Sequence, residues 1–180
     1  MTTTQVQETQ TYAIDPAHTT IEFVARHLMI TKVRGHFNKF SGTLKLTSGS
    51  DLPEAINVEV DVNSVDTREP QRDAHLRSAD FFDAEHFPTM TFVSKRVEQS
   101  PFRVYGDLTI RGNTREVALQ AEFEGKGADP WGGTRVAYSA TGLVNRKEFG
   151  LLWHQALETG GVVVGDEIRI ELNVEAVLQK

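Results

Sequence analysis

The sequence lacks cysteine altogether, so it has no disulfide framework, no thiolate nucleophile and no cysteine-ligated metal. Basic residues are also scarce: 19 lysines and arginines stand against 25 aspartates and glutamates, which gives a net charge of -6. This balance argues against a nucleic-acid footprint and against binding to an anionic membrane surface, because either would require clustered basic side chains.

Long hydrophobic runs are missing too. No stretch approaches the length that spans a bilayer, and the polar start MTTTQVQETQTY has neither the basic nor the apolar segment of a signal peptide. We therefore expect a soluble, cytoplasmic protein without a transmembrane segment. Residues 1–11 are predicted to form a disordered tail. Residues 12–180 are predicted to form one domain, because an all-β barrel of this length needs no second domain.

Catalytic and metal-binding motifs are also missing. The sequence has no GxSxG elbow, no P-loop and no GxGxxG fingerprint in the context of a phosphate loop. The histidines are scattered, with neither HExxH nor a paired spacing. They are His18, His27, His36, His75, His86 and His154. We predict no cofactor, no metal site and no nucleic-acid partner, and we assign His18 and His27 structural roles first.

What the sequence does contain is alternation of apolar and polar residues with period two, which is typical of strands with one buried face. It recurs in about eight segments, near 19–27, 33–47, 56–62, 90–97, 102–111, 117–123, 136–144 and 168–176. Gly112 and Asn113 are predicted to form the two-residue turn of a hairpin. Eight amphipathic strands joined mostly by short turns indicate an all-β fold, an elongated up-and-down antiparallel barrel whose closure removes exposed sheet edges.

The inward face of this barrel combines bulky residues with small ones such as Gly106 and Ala121. The small residues are compatible with ordinary packing and with an apolar tunnel for an extended chain. Strands of about 10 to 14 residues would make a tube of roughly 35 to 45 Å, which favours the tunnel. The predicted pore-lining residues are Ile21, Phe23, Phe40, Gly42, Leu44, Val58, Val60, Phe92, Val104, Gly106, Leu108, Leu119, Phe123, Tyr138, Ala140, Gly142, Ile170 and Leu172.

Only residues 70–88 form a long segment whose apolar spacing is not that of a strand. We predict a short helix over 70–79, between the third and fourth long strands, with Leu76 facing inward and Asp73 paired with Arg77. The acidic residues here could also be interpreted as an acid/base cluster. The loop 147–165 is too long for a hairpin, and it could cover a barrel mouth, form a dimer contact or pack on the outer wall.

Several separated motifs resemble the YceI-like family and appear in the family's order. They lie at residues 14–28 (IDPAHTTIEFVARHL), 72–92 (RDAHLRSADFFDAEHFPTMTF), 106–117 (GDLTIRGNTREV), 145–150 (NRKEFG) and 164–176 (VGDEIRIELNVEA). The resemblance implies an elongated eight-stranded barrel similar to lipocalins, often dimeric, whose apolar pore binds a polyisoprenoid or related long-chain amphiphile. It implies no catalytic residues.

The leading hypothesis is therefore a non-enzymatic protein that sequesters or transports a long-chain lipid, as a homodimer. His27 and Arg146 are the candidate polar residues for a lipid head group or the barrel mouth. One alternative is an enzyme acting on an isoprenoid or lipid head group, with His27, Asp73 or His75 near the mouth. Another is a dimeric, stress-related scaffold protein whose barrel is filled.

Overall fold

A computed structural model describes residues 6–158 and 163–180, which form strands, one α-helix and short 3-10 turns. None of the described helices is long and apolar enough to cross a membrane. The strands are β1 (Thr9–Ile14), β2 (Thr20–His27), β3 (Thr31–Phe37), β4 (Phe40–Thr47), β5 (Pro53–Asp61), β6 (Val65–Asp66), β7 (Thr89–Gln99), β8 (Phe102–Ile110), β9 (Asn113–Ala128), β10 (Thr134–Asn145) and β11 (Glu167–Leu178). The helix α1 (Pro70–Arg77) lies between β6 and β7.

The strands close into an antiparallel barrel. Neighbours follow the order β1-β4-β5-β7-β8-β9-β10-β11, and β11 pairs again with β1. β11 also pairs with β2, and β2 pairs with β3. Together β1 and β2 therefore form one long bent strand. β3 and β4 form a second one in the same way. Counted in this way the barrel has eight long strands in chain order. The predicted fold, including the helix between the third and fourth long strands, is confirmed.

Each bent strand breaks where hydrogen bonds outside the strand ladder replace strand pairing. Between β1 and β2, Asp15 accepts a hydrogen bond from the Ala17 N–H and caps a 3-10 turn over Pro16–His18. Between β3 and β4, the Asn38 N–H donates to the Ser64 carbonyl. β3 then pairs with the two-residue β6. Each break also shifts the alternation by one residue: even-numbered residues such as Ile14 face inward in β1 but odd-numbered ones such as Phe23 do so in β2.

The barrel begins earlier in the chain than the sequence predicted. The tail expected over residues 1–11 overlaps β1, which starts at Thr9 and pairs with both β4 and β11. Tyr12 and Ile14 are buried. The strand was missed because it is short and follows a polar segment, while residues 1–5 lie outside the described part of the chain.

The hairpin between β8 and β9 turns one residue earlier than predicted. Its central residues are Arg111 and Gly112, with φ of 49° and 72°, and Ile110 pairs with Asn113. Asn113 is instead the first strand residue, and its side-chain amide donates to the carbonyls of Arg111 and Phe149. These two hydrogen bonds hold Asn113 at the start of β9, so it does not occupy the turn.

Two apolar cores fill the two ends of the barrel. The strand end carries the turns at 48–52, 100–101 and 129–133. Its core consists of strand residues, which are Tyr12, Ile14, Leu44, Leu46, Val136, Tyr138 and Ala176. The capped end carries α1, residues 78–88 and residues 146–153. Its core is built from Phe37, Val60, Val62, Val65, Phe81, Phe82, Ala84, Met90, Val117, Phe149 and Leu151.

Candidate functional site

An apolar cavity of about 260 Å³ extends along the barrel between the two cores. Inward side chains of the strands form its wall, and Leu76 of α1 reaches it from the capped end. Phe81, Phe82, Phe149 and Leu151, which belong to no strand, close it there. The lining is almost entirely apolar, so the cavity is suited to a hydrocarbon.

Most of the predicted pore residues line this cavity. They are Ile21, Phe23, Leu44, Val58, Val60, Phe92, Val104, Leu108, Leu119, Tyr138, Ala140, Ile170 and Leu172. Residues that share their strand faces line it as well, among them Phe102, Ala121 and Val174. Alternation alone would have identified these three, because they lie two residues along the strand from a predicted residue. Their role as ligand contacts stays a prediction.

Five predicted residues do not line the cavity, and three of them are glycines. A Cβ on Gly106 would overlap the Phe92 ring, and one on Gly142 would lie 2.7 Å from Leu119 Cδ2. At Gly42 a Cβ would meet the Asn57 carbonyl oxygen at 2.5 Å and Ile14 Cδ1 at 2.8 Å. Larger side chains on neighbouring strands therefore occupy the space beside these glycines, so the glycines do not widen the cavity.

The other two are phenylalanines. Phe123 is 37% exposed and packs its ring against Tyr138, with centroids 5.6 Å apart. Phe40 is partly buried and packs against both cores. Period two assigns both side chains to the inward face but does not show where along the barrel the cavity lies.

Arg146 is buried at the capped end, and its guanidinium holds the loop that follows it. Nη1 donates to the carbonyls of Leu151 at 2.6 Å and Trp153 at 2.7 Å, while Nε donates to that of Gly165 at 2.9 Å. Burial lowers the pKa of Arg146, and Asp166, 3.4 Å away, opposes this shift. Arg146 lines the cavity, but its donors are directed at loop carbonyls.

His27, the other candidate polar residue, ends β2 beside the same loop. It forms an isolated antiparallel bridge with Val164, and its carbonyl accepts a hydrogen bond from Thr31 Oγ1 at 3.4 Å. Val164 lines the cavity, whereas His27 does not. The structure thus places His27 next to the capped end without directing it into the cavity.

The predicted ion pair on α1 is wrong. Asp73 is buried, and its Oδ1 accepts from the Thr67 N–H at 2.8 Å and from Thr67 Oγ1 at 2.6 Å. Arg77 instead donates to the carbonyls of Asn63 and Val65. A buried carboxylate needs hydrogen-bond donors close by, and Thr67, before the helix, supplies two of them, its N–H and its hydroxyl. The prediction that Leu76 faces inward is confirmed.

The acidic residues of this segment do not assemble an acid/base cluster. His75 Nε2 lies 2.8 Å from Asp80 Oδ2, and the His75 ring meets the rings of Phe81 and Trp153 edge-on. His86 pairs with Asp83. None of these titratable side chains lines the cavity. The arrangement anchors the segment over the capped end.

The described part of the long loop covers the same end. Leu151 lines the cavity, and Trp153 packs against Phe81 with ring centroids 5.4 Å apart. Leu152 is 60% exposed. Gly160 and Gly161, which belong to the loop 147–165, lie outside the described residues.

One group of side chains has the composition of a metal site. Ligand atoms of Asp15, His18 and Glu175 lie within 4.8 Å of one another. Arg135 Nη1, however, donates to Asp15 Oδ2 and to Glu175 Oε1, both at 2.7 Å. The cation that balances these carboxylates is therefore the arginine, and the group carries no argument for a metal.

Comparisons with known proteins agree with this architecture. The family model of the YceI-like domain matches residues 12–176. A UPF0312 protein of Staphylococcus aureus (strain USA300) is 37% identical over 165 residues, which are 91% of this chain and 95% of that protein.

Solved structures with the same fold include the Campylobacter jejuni YCEI protein, with a TM-score of 0.73 and 28% identity over 86% of this chain and 90% of that one. Burkholderia cenocepacia BcnA has a TM-score of 0.77 and 23% identity over 90% and 98% of the two chains. A polyisoprenoid binding domain from Saccharophagus degradans has a TM-score of 0.65 and 13% identity over 93% and 98%.

Proposed function

The chain belongs to the YceI-like domain family, and from that premise we propose that its barrel binds a long-chain lipid, a polyisoprenoid or a similar amphiphile, and sequesters or transports it. The observation that carries the proposal is the apolar cavity between the two cores. A solved polyisoprenoid binding domain with the same fold supports the choice of ligand class.

The cavity volume limits how much of a lipid fits. A dry apolar cavity of about 150 Å³ accepts benzene in another protein, so by the same scaling about 260 Å³ has room for roughly ten carbons. Two isoprene units have this size. A longer chain would require part of the ligand to leave the barrel or the capped end to move.

Apolar contact would supply most of the binding free energy. Burying about ten carbons at about 0.8 kcal/mol each contributes roughly 8 kcal/mol before the cost of association and chain ordering. No charged clamp inside the barrel is needed. This agrees with the donors of Arg146, which bind loop carbonyls, so we assign Arg146 to positioning the loop and place the lipid head group outside the cavity.

Binding without chemistry is the activity that this lining favours. General acid/base catalysis needs titratable groups within hydrogen-bond reach of a reacting atom. Asp73 is engaged by Thr67, and His75 by Asp80. The resemblance further implies a homodimer, which light scattering on the purified protein measures directly.

Two alanines on β9 provide a matched test. Ala121 lines the cavity, whereas Ala118 is exposed on the outer face. Ala121→Phe should fill the middle of the tube and lower the affinity for farnesol at least tenfold. Ala118→Phe makes the same change on the outside and should leave the affinity unchanged.

Affinity would be measured by displacement of a fluorescent fatty acid, with native mass spectrometry to identify any amphiphile that co-purifies. Circular dichroism would show that both variants keep the barrel. Equal farnesol affinity in the two variants, or no binding by the unmodified protein, would contradict the proposal.

A further inference from the structure

The turn between β2 and β3 exposes three consecutive apolar side chains, which we call the apolar tip: Leu28, Met29 and Ile30. Their exposed fractions are 36%, 49% and 77%. Leu28 and Met29 have φ of 53° and 64°, in the left-handed region that glycine and asparagine adopt at lower cost. The turn thus holds large apolar residues where backbone preference and exposure both disfavour them, a combination that suggests a function.

The apolar tip lies beside the cavity at the capped end. The Leu28 N–H donates to the Val163 carbonyl at 2.9 Å, and His27 bridges to Val164. Ala25, three residues before the tip, and Val164 both line the cavity. A surface that bound the tip would therefore face the end of the barrel that is closed by α1 and loops.

Two basic residues stand directly behind the apolar tip. Arg26 and Lys32 pair in register across the hairpin, and both are exposed. Among the described residues neither forms a salt bridge, and Glu167, which begins the neighbouring β11, is not joined to either. Exposed apolar side chains with basic residues behind them are the pattern of segments that bind the interface of anionic membranes.

The net charge of the whole chain limits which part of the protein can approach an anionic membrane. The net charge of -6 disfavours approach of the protein as a whole to an anionic surface. Binding therefore requires a local exception, and the apolar tip with Arg26 and Lys32 provides one.

The strand end has a different exposed apolar residue. Trp131 is 83% exposed, but its turn is built around Asp129, which accepts hydrogen bonds from the backbone N–H groups of Trp131 and Gly133. Asp129 also pairs with Arg135, at 2.8 Å. The positive charge of Arg135 is therefore already bound by carboxylates, whereas Arg26 and Lys32 form no salt bridge among the described residues.

We propose that the apolar tip inserts into the interface of an anionic lipid bilayer and brings the capped end to the membrane for lipid exchange. The proposal rests on lipid binding by the barrel, but it names a separate surface and partner. Insertion would bury the three apolar side chains, while Arg26 and Lys32 would lie at the level of the lipid phosphates.

Co-sedimentation with vesicles tests it, with phosphatidylcholine containing 30% phosphatidylglycerol compared with phosphatidylcholine alone. We expect binding to the mixed vesicles and at least tenfold weaker binding to the neutral ones. Met29→Asp with Ile30→Asp should weaken binding to the mixed vesicles at least tenfold. Arg26→Glu with Lys32→Glu should weaken it by a similar factor. Trp131→Asp, a matched change at the strand end, should leave it unaltered.

Equal vesicle binding by the tip variant and the unmodified protein would overturn the proposal, as would loss of binding in Trp131→Asp. Sedimentation velocity tests the alternative that the tip binds a second copy of this chain. A change from dimer to monomer in the tip variant, without vesicle binding by the unmodified protein, would identify the tip as a contact between copies. Farnesol binding in solution separates this proposal from the function of the barrel. The tip variant should retain it, whereas Ala121→Phe should lose it and still bind vesicles.

Discussion

The two ends of the barrel are closed in different ways. At the strand end the buried side chains belong to hydrogen-bonded strands, such as Tyr12 and Leu46, which are 0% exposed. At the capped end six of the eleven buried core residues, among them Phe81 and Leu151, belong to segments between strands. Opening the first end would break the barrel ladder, whereas opening the second would break only side-chain contacts and a few hydrogen bonds.

Two arginine side chains contribute several of the hydrogen bonds that hold the capped end. Arg111 Nη1 donates to the Phe81 carbonyl at 2.9 Å and to that of Gly150 at 3.3 Å, which ties both covering segments to the β8–β9 hairpin. Arg146 holds the loop from the other side. We therefore expect local opening to be confined to the capped end, because regions closed by loops have lower local stability than paired strands.

Truncation of a core leucine at each end should give the largest difference in unfolding free energy between the strand end and the capped end. Leu46→Ala removes a fully buried side chain among strands and should lower the free energy of unfolding by about 3 to 5 kcal/mol. Leu151→Ala makes the same change in a loop that can relax, and should cost about 2 kcal/mol. Urea denaturation followed by tryptophan fluorescence measures both.

The rate of farnesol release should rank the two variants in the opposite order. Leu151→Ala should speed dissociation in stopped-flow experiments, whereas Leu46→Ala should not. If Leu151→Ala cost as much stability as Leu46→Ala and left release unchanged, the capped end would be as firmly closed as the strand end.

Removal of the buried guanidinium should loosen only the capped end. Arg146→Met leaves the carbonyls of Leu151, Trp153 and Gly165 without their donor, a loss of about 1 to 3 kcal/mol. Hydrogen exchange should quicken at residues 150–155 and stay slow in β4.

Lys147→Met is the control for this change. Lys147 pairs with Asp166 at 3.2 Å on the surface, and its loss should alter stability by no more than about 0.5 kcal/mol. Faster exchange throughout the barrel in Arg146→Met would show that the guanidinium supports the whole fold instead of the loop.

A smaller effect is expected from a hydroxyl at the strand end. Tyr138 donates to the Asp51 carbonyl at 2.7 Å, and burial raises the pKa of Tyr138, so the hydroxyl stays protonated. Tyr138→Phe should cost about 1 kcal/mol in urea denaturation. Tyr105→Phe removes an exposed hydroxyl 3.3 Å from Glu98 and should cost nearly nothing. A similar loss in both variants would mean that the Asp51 bond does not stabilise the turn.

The sequence predicted the wall of the barrel because strand faces depend on local alternation. β5 and β11 show period two almost without interruption, and most of their inward residues, such as Val58 and Leu172, line the cavity. The same signal could not show where the cavity ends. Gly106 lies on the inward face, but only the path of the neighbouring strand shows that the Phe92 ring takes its space.

The capped end could be predicted only in outline, because its contacts join residues with no local pattern. Helix spacing suggested an ion pair for Asp73, but the buried carboxylate binds Thr67 across the preceding turn. The partners of Arg146 are backbone carbonyls up to 19 residues away. Such hydrogen bonds depend on the loop conformation, which periodicity does not predict. The same holds for the ion cluster around Asp15, which joins residues from both ends of the chain.

That cluster leads to the smallest predicted effect, the contribution of one capping aspartate to the pH dependence of stability. Hydrogen bonds from His18 and Arg135 lower the pKa of Asp15 from its ordinary 3.8 to about 2. Because the folded-state pKa is depressed, the stabilisation is present above about pH 4 and is lost as the pH falls towards 2.

Asp15→Asn should therefore flatten the loss of unfolding free energy between pH 4 and pH 2, by no more than about 1 kcal/mol for a pair this close to the surface. Asp61 at the capped end is the matched control. It caps the 3-10 turn Val62–Ser64 in the same way, yet forms no salt bridge to a described residue. Asp61→Asn removes a cap of the same kind without an ion pair, so an equally flattened profile in both variants would assign the effect to capping instead of to the ion cluster.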